Sequence, residues 1–388
     1  MEQVLYKLPD GWEWKRIEEV FTITSGKNLT KKDMADEGKF SVYGGNGIAG
    51  RYNDFNLSGS NIIIGRVGAL CGNVRLVNGD IWVTDNAFFI KEYKVDILKE
   101  YLAQVLSALN LGETANKAAQ PVISYKGIKD LVIPYPPLDE QKRIVEKLDA
   151  LLTRIDTAIE HLQESVTLAD ALSQNGLDVY FAELTETNPE LTLSKLADFI
   201  SGYAFKSGDF TSESGIKPIK ITNVGVNEFS ENAEEFLPAS YESEYQRFAA
   251  KTNDIVIALT RPIINGGLKV CRVPESYSGA LVNQRVAAIT SKNKHVLDFI
   301  YLYLQSSRTK NYVLEKSKSL NQPNLSITDL KNLALPLPAN DKAIAKAVAD
   351  CNALISKARK SKAEISEKIT MMQQLKASIL DSAFKGEL

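Results

Sequence analysis

The glycines of "YGGNGIAG", Tyr43 to Gly50, form a literal G-x-G-x-x-G: Gly45, Gly47 and Gly50. In a dinucleotide enzyme such glycines turn tightly out of a strand. Backbone amides at a helix N-terminus then cradle the pyrophosphate, and an acid follows about 20 residues on. "KFSVY" supplies a strand, but "RYNDFNLSGSN" comes next, polar and turn-forming, with no helical period. Phosphates find no helix to sit on there. The loop is expected instead to bring its backbone close to something else. Other catalytic patterns are incomplete. "IPYPPL" lacks the Asn or Asp that amino-group methyl transfer needs before paired prolines, and the chain has neither a P-loop nor a G-x-S-x-G elbow. Cys71, Cys271 and Cys351 have no histidine partner at equivalent places, and two histidines (His161, His295) without a C-x-x-C argue against zinc. Neither catalysis nor a metal site is expected.

The residue types that remain are those of recognition. Arginine pairs bidentately with guanine, and asparagine or glutamine with adenine. Loops beside β-rich runs carry Asn46, Arg66 and Asn86, with Tyr43 at the start of the glycine loop. Farther on they carry Asn223, Arg261, Asn283, Gln284 and Arg285. Lysines with Ser or Thr nearby can hold phosphates: "SGKNLTKK", Lys117 in "ETANKAAQ", Lys220, and Lys318 in "EKSKSLNQ". Arg66 and Arg261 both end an apolar run ("NIIIGRVG", "DIVIALTR") and precede a Gly-containing turn, so they are read as equivalents. A buried structural arginine is the competing reading.

That equivalence belongs to a larger one. "QPVISYKGIKDLVIPYP" from Gln120 matches "QPNLSITDLKNLALPLP" from Gln322, with Gln, Pro, Ser, Lys, Leu, Pro and Pro in register. The match continues through "DALL" and "NALI" to "LDVYF" and "LDSAF". The chain is a duplication. Upstream, "WKRIEEVFTITSG" resembles "LSKLADFISG", but the intervals between blocks differ. One part of the repeat is fixed in length and the other varies.

The fixed part reads as a long helix. Ile144, Leu148, Leu151, Ile155, Leu162, Val166, Ala169 and Leu172 recur mostly in steps of four and three. The second copy places Ala347, Cys351, Leu354, Ala358, Ile365, Ile369, Met372 and Leu375 likewise. So narrow a stripe needs a partner helix, as in a coiled coil. From Leu138 to Leu184 ten acids face four bases, whereas the last segment carries lysines and an arginine from Lys342 to Lys385. Opposite bias on equal rods predicts that they pair with each other. The fold class is therefore α+β: two mixed α/β heads joined by two long helices forming an intramolecular antiparallel coiled coil, with a pseudo-twofold internal repeat. The expected bounds are 1–135 (first head), 136–188 (central spacer helix), 189–338 (second head) and 339–388 (C-terminal spacer helix).

Composition fits a soluble globular protein of more than one domain, 388 residues long, 44% hydrophobic and 24% charged. No apolar run is long enough to span a bilayer, the start lacks a signal-peptide pattern, and three scattered cysteines suit a reducing compartment, so a cytoplasmic location is expected. With a net charge of −2, any nucleic-acid grip must be local or shared with other subunits.

These segments resemble the specificity subunit of type I restriction–modification enzymes over essentially the whole chain. The resemblance rests on "LPDGWEWKRIEEV", "SVYGGNGIAG", "IIIGRVGALCGNV" and "WVTDNAFF", and above all on "IPYPPLDEQKRIVEKLDALL" and "LKASILDSAFKGEL". The second arm, "LPLPANDKAIAKAV", departs from the Pro-Leu-x-Glu-Gln pattern. The resemblance implies two target-recognition domains, each reading half of a split double-stranded DNA sequence, and helices that fix the gap. It implies two methyltransferase subunits and restriction–translocation subunits as partners. S-adenosylmethionine, ATP and Mg are expected in those partners and none in this chain. A coiled-coil scaffold whose two heads bind protein is the alternative.

Overall fold

A computed structural model describes residues 3, 5–116, 119–232, 234–317 and 323–388. The chain divides into two compact units, Met1–Gln163 with Ser366–Leu388, and Glu164–Ile365. Each unit contains one head and one end of each long helix.

The first head begins with β1 (Glu13–Arg16), which pairs with β9 (Val132–Tyr135). Its main sheet is antiparallel, in the order β2 (Phe21–Ser25), β8 (Ala87–Tyr93), β5 (Ser60–Gly65), β6 (Val74–Asn78). A second sheet sets β3 (Phe40–Gly44) antiparallel to β4 (Gly47–Tyr52) and parallel to β7 (Ile81–Val83). The "NIIIG" run explains why β5 lies inside. Ile62 and Ile64 enter one core cluster and Ile63 another, so the period of two buries both faces.

The second head repeats the plan. β10 (Glu190–Thr192) pairs with β19 (Ala334–Pro336). The main sheet runs β11 (Asp198–Ser201), β18 (Val286–Thr290), β13 (Ile255–Ala258), β16 (Val270–Arg272). β12 (Pro218–Ile219) lies parallel to β17 (Leu281–Val282). β13 is buried on both faces like β5, Ile255 and Ile257 on one side and Val256 and Ala258 on the other. A short hairpin of β14 (Ile263–Ile264) and β15 (Gly267–Leu268) has been added.

The central helix spans Leu138–Thr187 and the C-terminal helix Asp341–Lys385. In the first unit Ile144 and Leu148 share a core with Ala383, Phe384 and the helix Lys99–Ala108. In the second, Leu177 and Phe181 share one with Ile344, Ala347, Cys351 and the helix Lys294–Leu304. Within each unit the start of one helix thus lies beside the end of the other, which makes the pair antiparallel. The anchoring aromatics repeat. Phe384 meets Tyr101 edge-on at 6.0 Å, and Phe181 meets Tyr303 at 5.0 Å. Tyr101 and Tyr303 in turn donate to the carbonyls of Pro134 and Ala334.

The charge bias resolves into ion pairs. Lys376 meets Asp156 at 2.6 Å in the first unit, and Lys362 meets Asp170 at 2.7 Å in the second. Both are exposed, and each contributes roughly 0.2–1 kcal/mol. The apolar stripe is less uniform than its spacing predicts. Ile155 and Cys351 are buried, and Leu151, Leu162, Ile365, Ile369 and Met372 are half-buried. Leu172 and Leu375, expected in the stripe, are exposed instead. An α-helix drifts against a strict seven-residue repeat, so some nominal seam positions rotate outward. Leu354 is partly exposed yet leans on the central helix, its methyl 3.5 Å from where a Gly176 Cβ would stand.

The helix starts explain both the Glu-Gln run and its absence from the second copy. Gln141 is fully buried, accepts from the Leu98 amide at 2.9 Å and donates to the Pro136 carbonyl at 2.9 Å. It therefore joins the start of Lys99–Ala108 to the start of the central helix. In the second unit Asn340 accepts from the Ala343 amide, while Asn293 caps Lys294–Leu304 and donates to Asp341. The two units thus tie their helix starts with different side chains and different bonds.

Candidate nucleic-acid interface

Three chain segments meet at one edge of the first head. The Arg66 and Val67 amides donate to the Asn86 carbonyl, at 2.9 and 3.3 Å, and the Ile123 amide donates to the Arg66 carbonyl. The Gly68 amide donates to the Pro121 carbonyl at 3.0 Å. The glycine loop is the fourth piece. β4 follows it as a strand, so it is a hairpin and no helix opens there. A Cβ on Gly45 would stand 1.9 Å from the Val67 carbonyl oxygen and 3.0 Å from that of Asn86. The glycines therefore let one loop's backbone lie against another's, as the missing helix implied. Asn46 locks the contact, its Oδ1 accepting from the Leu70 amide at 3.1 Å.

This edge gathers Asn46, Arg66 and Asn86. Arg66 is half-buried, with Nη1 donating to the Asp85 carbonyl at 3.1 Å and its guanidinium over the Phe88 ring at 5.4 Å. Asn86 is exposed. Tyr43 is a packing residue of β3 beside Ile63, Ile81 and Val83. Lys117 and Lys318 lie outside the described residues.

The second head has the same frame with other side chains. The Leu259 amide donates to the Arg285 carbonyl at 2.9 Å, the Leu325 amide to the Leu259 carbonyl, and the Arg261 amide to the Pro323 carbonyl at 2.8 Å. Bond for bond, Leu259 stands where the first head has Arg66, and Arg285 stands where it has Asn86. Arg261 stands where it has Gly68. The expected equivalence of Arg66 and Arg261 is therefore off by two positions, because hydrogen-bond partners, and not the ends of the apolar runs, set the register. Gly68 has a φ of 108°, and Arg261 keeps that left-handed backbone at 46°. For a non-glycine residue this costs on the order of 1–3 kcal/mol.

Asn283 is half-buried, and Gln284, Arg285 and Arg261 are exposed, so these four share the second edge. Asn223 does not join them as a reader. It is 4% exposed, its Oδ1 accepts from the Lys220 amide and its Nδ2 donates to the Ser230 carbonyl, so it builds a turn and has no amide left for a base. Lys220 pairs with Glu235 and lies over the Phe210 ring, which spends its charge within the head.

Sequence reasoning missed Tyr203, which is partly exposed and packs on Tyr245 and Phe248 at 4.9 and 5.0 Å. Its carbonyl accepts from the Gln284 amide. The signal was the repeated Ser-Gly block. A Cβ on Gly26 or Gly202 would stand 2.0 or 1.9 Å from the carbonyl of Val83 or Asn283, which fixes the residue that follows, Lys27 or Tyr203, at the edge. Cys271 and Cys351 are buried within the second unit. Burial pushes the Cys271 and Cys351 thiols up to about 12. Among the described residues there is no cluster able to hold a metal ion, and no helix is long and apolar enough to cross a membrane.

One backbone frame, built twice and furnished with different guanidinium and amide side chains, defines a two-headed recognition protein. The family model of the type I restriction modification DNA specificity domain matches residues 9–168 and again 186–367. The chain belongs to that family, and curated relatives that it matches are specificity subunits of type I restriction enzymes. It is 27% identical to the MjaVIII specificity subunit of Methanocaldococcus jannaschii, covering 92% of this chain and 90% of the relative. It is 24% identical to the EcoBI specificity subunit of Escherichia coli, covering 80% and 71%. A solved structure from work on assembly and conformational transition of a type I system shares the fold, with a TM-score of 0.72 at 20% identity over 99% of this chain and 100% of that one. The HsdS subunit of Thermoanaerobacter tengcongensis does so at 0.55 and 20%, over 100% of each.

Proposed function

We infer that this chain is the sequence-reading subunit of a type I restriction–modification complex, and that the loop edge of each head reads one half of a bipartite duplex DNA target. The observation that carries this is the constant frame with changed side chains. Asp85 and Asn86 in one head become Gln284 and Arg285 in the other, on matching hydrogen bonds. A frame kept while its reading groups differ is what two readers of two different half-sites require. The helices set the gap between the halves. Methyltransferase and restriction subunits dock on the chain and bring S-adenosylmethionine, ATP and Mg with them, in keeping with its near-neutral charge and a shared grip on phosphate. Family membership supports this reading, and nothing favours a protein-binding scaffold over it.

The test is to co-purify the chain with its methyltransferase subunits, map methylated positions in host DNA, and measure duplex binding across a salt series. A split motif with two unlike halves and steeply salt-dependent, sequence-specific binding is expected. A continuous motif, or affinity indifferent to sequence at every salt, would overturn it.

A further inference from the structure

Each head leaves a large aliphatic side chain in solvent shortly after its edge position. In the first it is Leu70, 49% exposed, shortly after Gly68; in the second it is Ile264, 48% exposed, shortly after Arg261. Gly68 and Arg261 hold the same backbone position, each donating to the carbonyl of a Gln-Pro proline. A single exposed leucine or isoleucine is ordinary. An exposed aliphatic shortly after the same backbone position recurs in both copies, two residues on in the first and three in the second, although the loops there differ in length, sequence and turn geometry.

Neither side chain rides on a loose strand of chain. The Leu70 amide is held by Asn46 Oδ1, and its carbonyl accepts from the Asn73 amide at 3.1 Å. Ile264 ends β14 opposite Gly267, and the turn between them is Asn265-Gly266, both left-handed at φ 47° and 76°. Two such residues match the right-handed twist of the flanking strands and make a tight, well-defined hairpin. In the first head a second aliphatic, Ile48 at 66% exposure, follows Asn46 on the neighbouring hairpin.

An aliphatic group presented rigidly beside guanidinium and amide groups matches one target chemistry. In the major groove the edges that Arg, Asn and Gln read lie next to the thymine C5-methyl, an apolar feature of that surface. We propose that Leu70 and Ile264 each contact the C5-methyl of one thymine in their head's half of the target. This rests on the reading of the two edges as base-reading surfaces.

The experiment uses the full chain assembled with its methyltransferase subunits, on duplexes carrying the mapped recognition sequence. Each half-site thymine is replaced singly by deoxyuridine, which removes the methyl and leaves every hydrogen-bonding group in place. One position per half-site should weaken binding roughly fourfold, the worth of one buried methyl group. Ile264→Ala should erase that sensitivity in one half-site only and Leu70→Ala in the other only, while Ile264→Val keeps it. The proposal is overturned by a half-site with no thymine on either strand, by indifference to deoxyuridine throughout, or by sensitivity that persists in both alanine variants. It is overturned equally if the variants keep DNA selectivity but shed the methyltransferase subunits, which would mark a protein contact. In each of these cases sequence-specific binding by the unsubstituted chain still stands, so loss of that binding is a separate result that counts against the reading of the edges.

Discussion

Arg261 and Asn223 separate two ways in which a polar loop residue can matter. Arg261 is exposed and carries backbone strain at a position the first head gives to glycine. Replacing it by glycine relieves the left-handed strain but restores chain freedom to the unfolded state, and the two effects largely offset. Arg261→Gly should therefore leave thermal stability unchanged or slightly raised. It should also relax one position of one half-site, with a loss of about 1–3 kcal/mol against the preferred base. Site selection beside a melting curve reads both. Asn223→Ala should do the reverse: it strips partners from the Lys220 amide and Ser230 carbonyl, costing about 1–3 kcal/mol of stability while the selected sequence stays the same. Both read in the sequence as polar loop residues, because a side chain's type does not show whether its hydrogen bonds are already taken. Gly45 is a similar case. Its role needed the Val67 carbonyl that lies against it, and only the absence of a following helix was legible beforehand.

Among the elements, the long helices were the most legible part, because their apolar period and opposite charge persist over many residues. What holds them to the heads was not. Gln141 looked like part of a motif, and its job, joining two helix starts inside a core, depends on Leu98 arriving from far away in the sequence. Gln141→Leu should orphan the Leu98 amide and lower stability by about 1–3 kcal/mol, more than an exposed ion-pair variant such as Asp156→Ala, for which about 0.2–1 kcal/mol is expected. Urea unfolding of the three proteins ranks them, and equal midpoints for Gln141→Leu and Asp156→Ala would show that the buried amide is dispensable. Phe181→Ala removes the ring that contacts Phe299 and Tyr303 and should cost about 3–5 kcal/mol, the largest effect of the set. The variable elements were hard to align for a physical reason. Strand pairing in the main sheets is non-local, so the two-position offset at Arg261 emerges only when each strand's partner is known.

At the scale of the whole molecule, each unit sets the start of one long helix beside the end of the other, so the same two helices serve both. The central helix leaves the first head's core at Ile144 and Leu148 and enters the second's at Leu177 and Phe181, while the C-terminal helix runs the other way from Cys351 to Phe384. If these helices set the gap between half-sites, length added to both should be read out in the target. Seven residues, about two turns, inserted into each helix between the ion pairs Asp156–Lys376 and Asp170–Lys362 keep the apolar faces in phase and add about 10 Å of rise. Duplex DNA rises about 3.4 Å per base pair on each strand, so the preferred gap should lengthen by about three base pairs. Neither half-site should change, because no residue of either edge has been touched. Inserting seven residues into one helix alone should instead unseat its partner and lower stability without defining a new gap. Methylation mapping of the double-insertion protein decides the matter: unchanged spacing with altered half-sites would mean that the heads, and not the helices between them, determine how the target is divided.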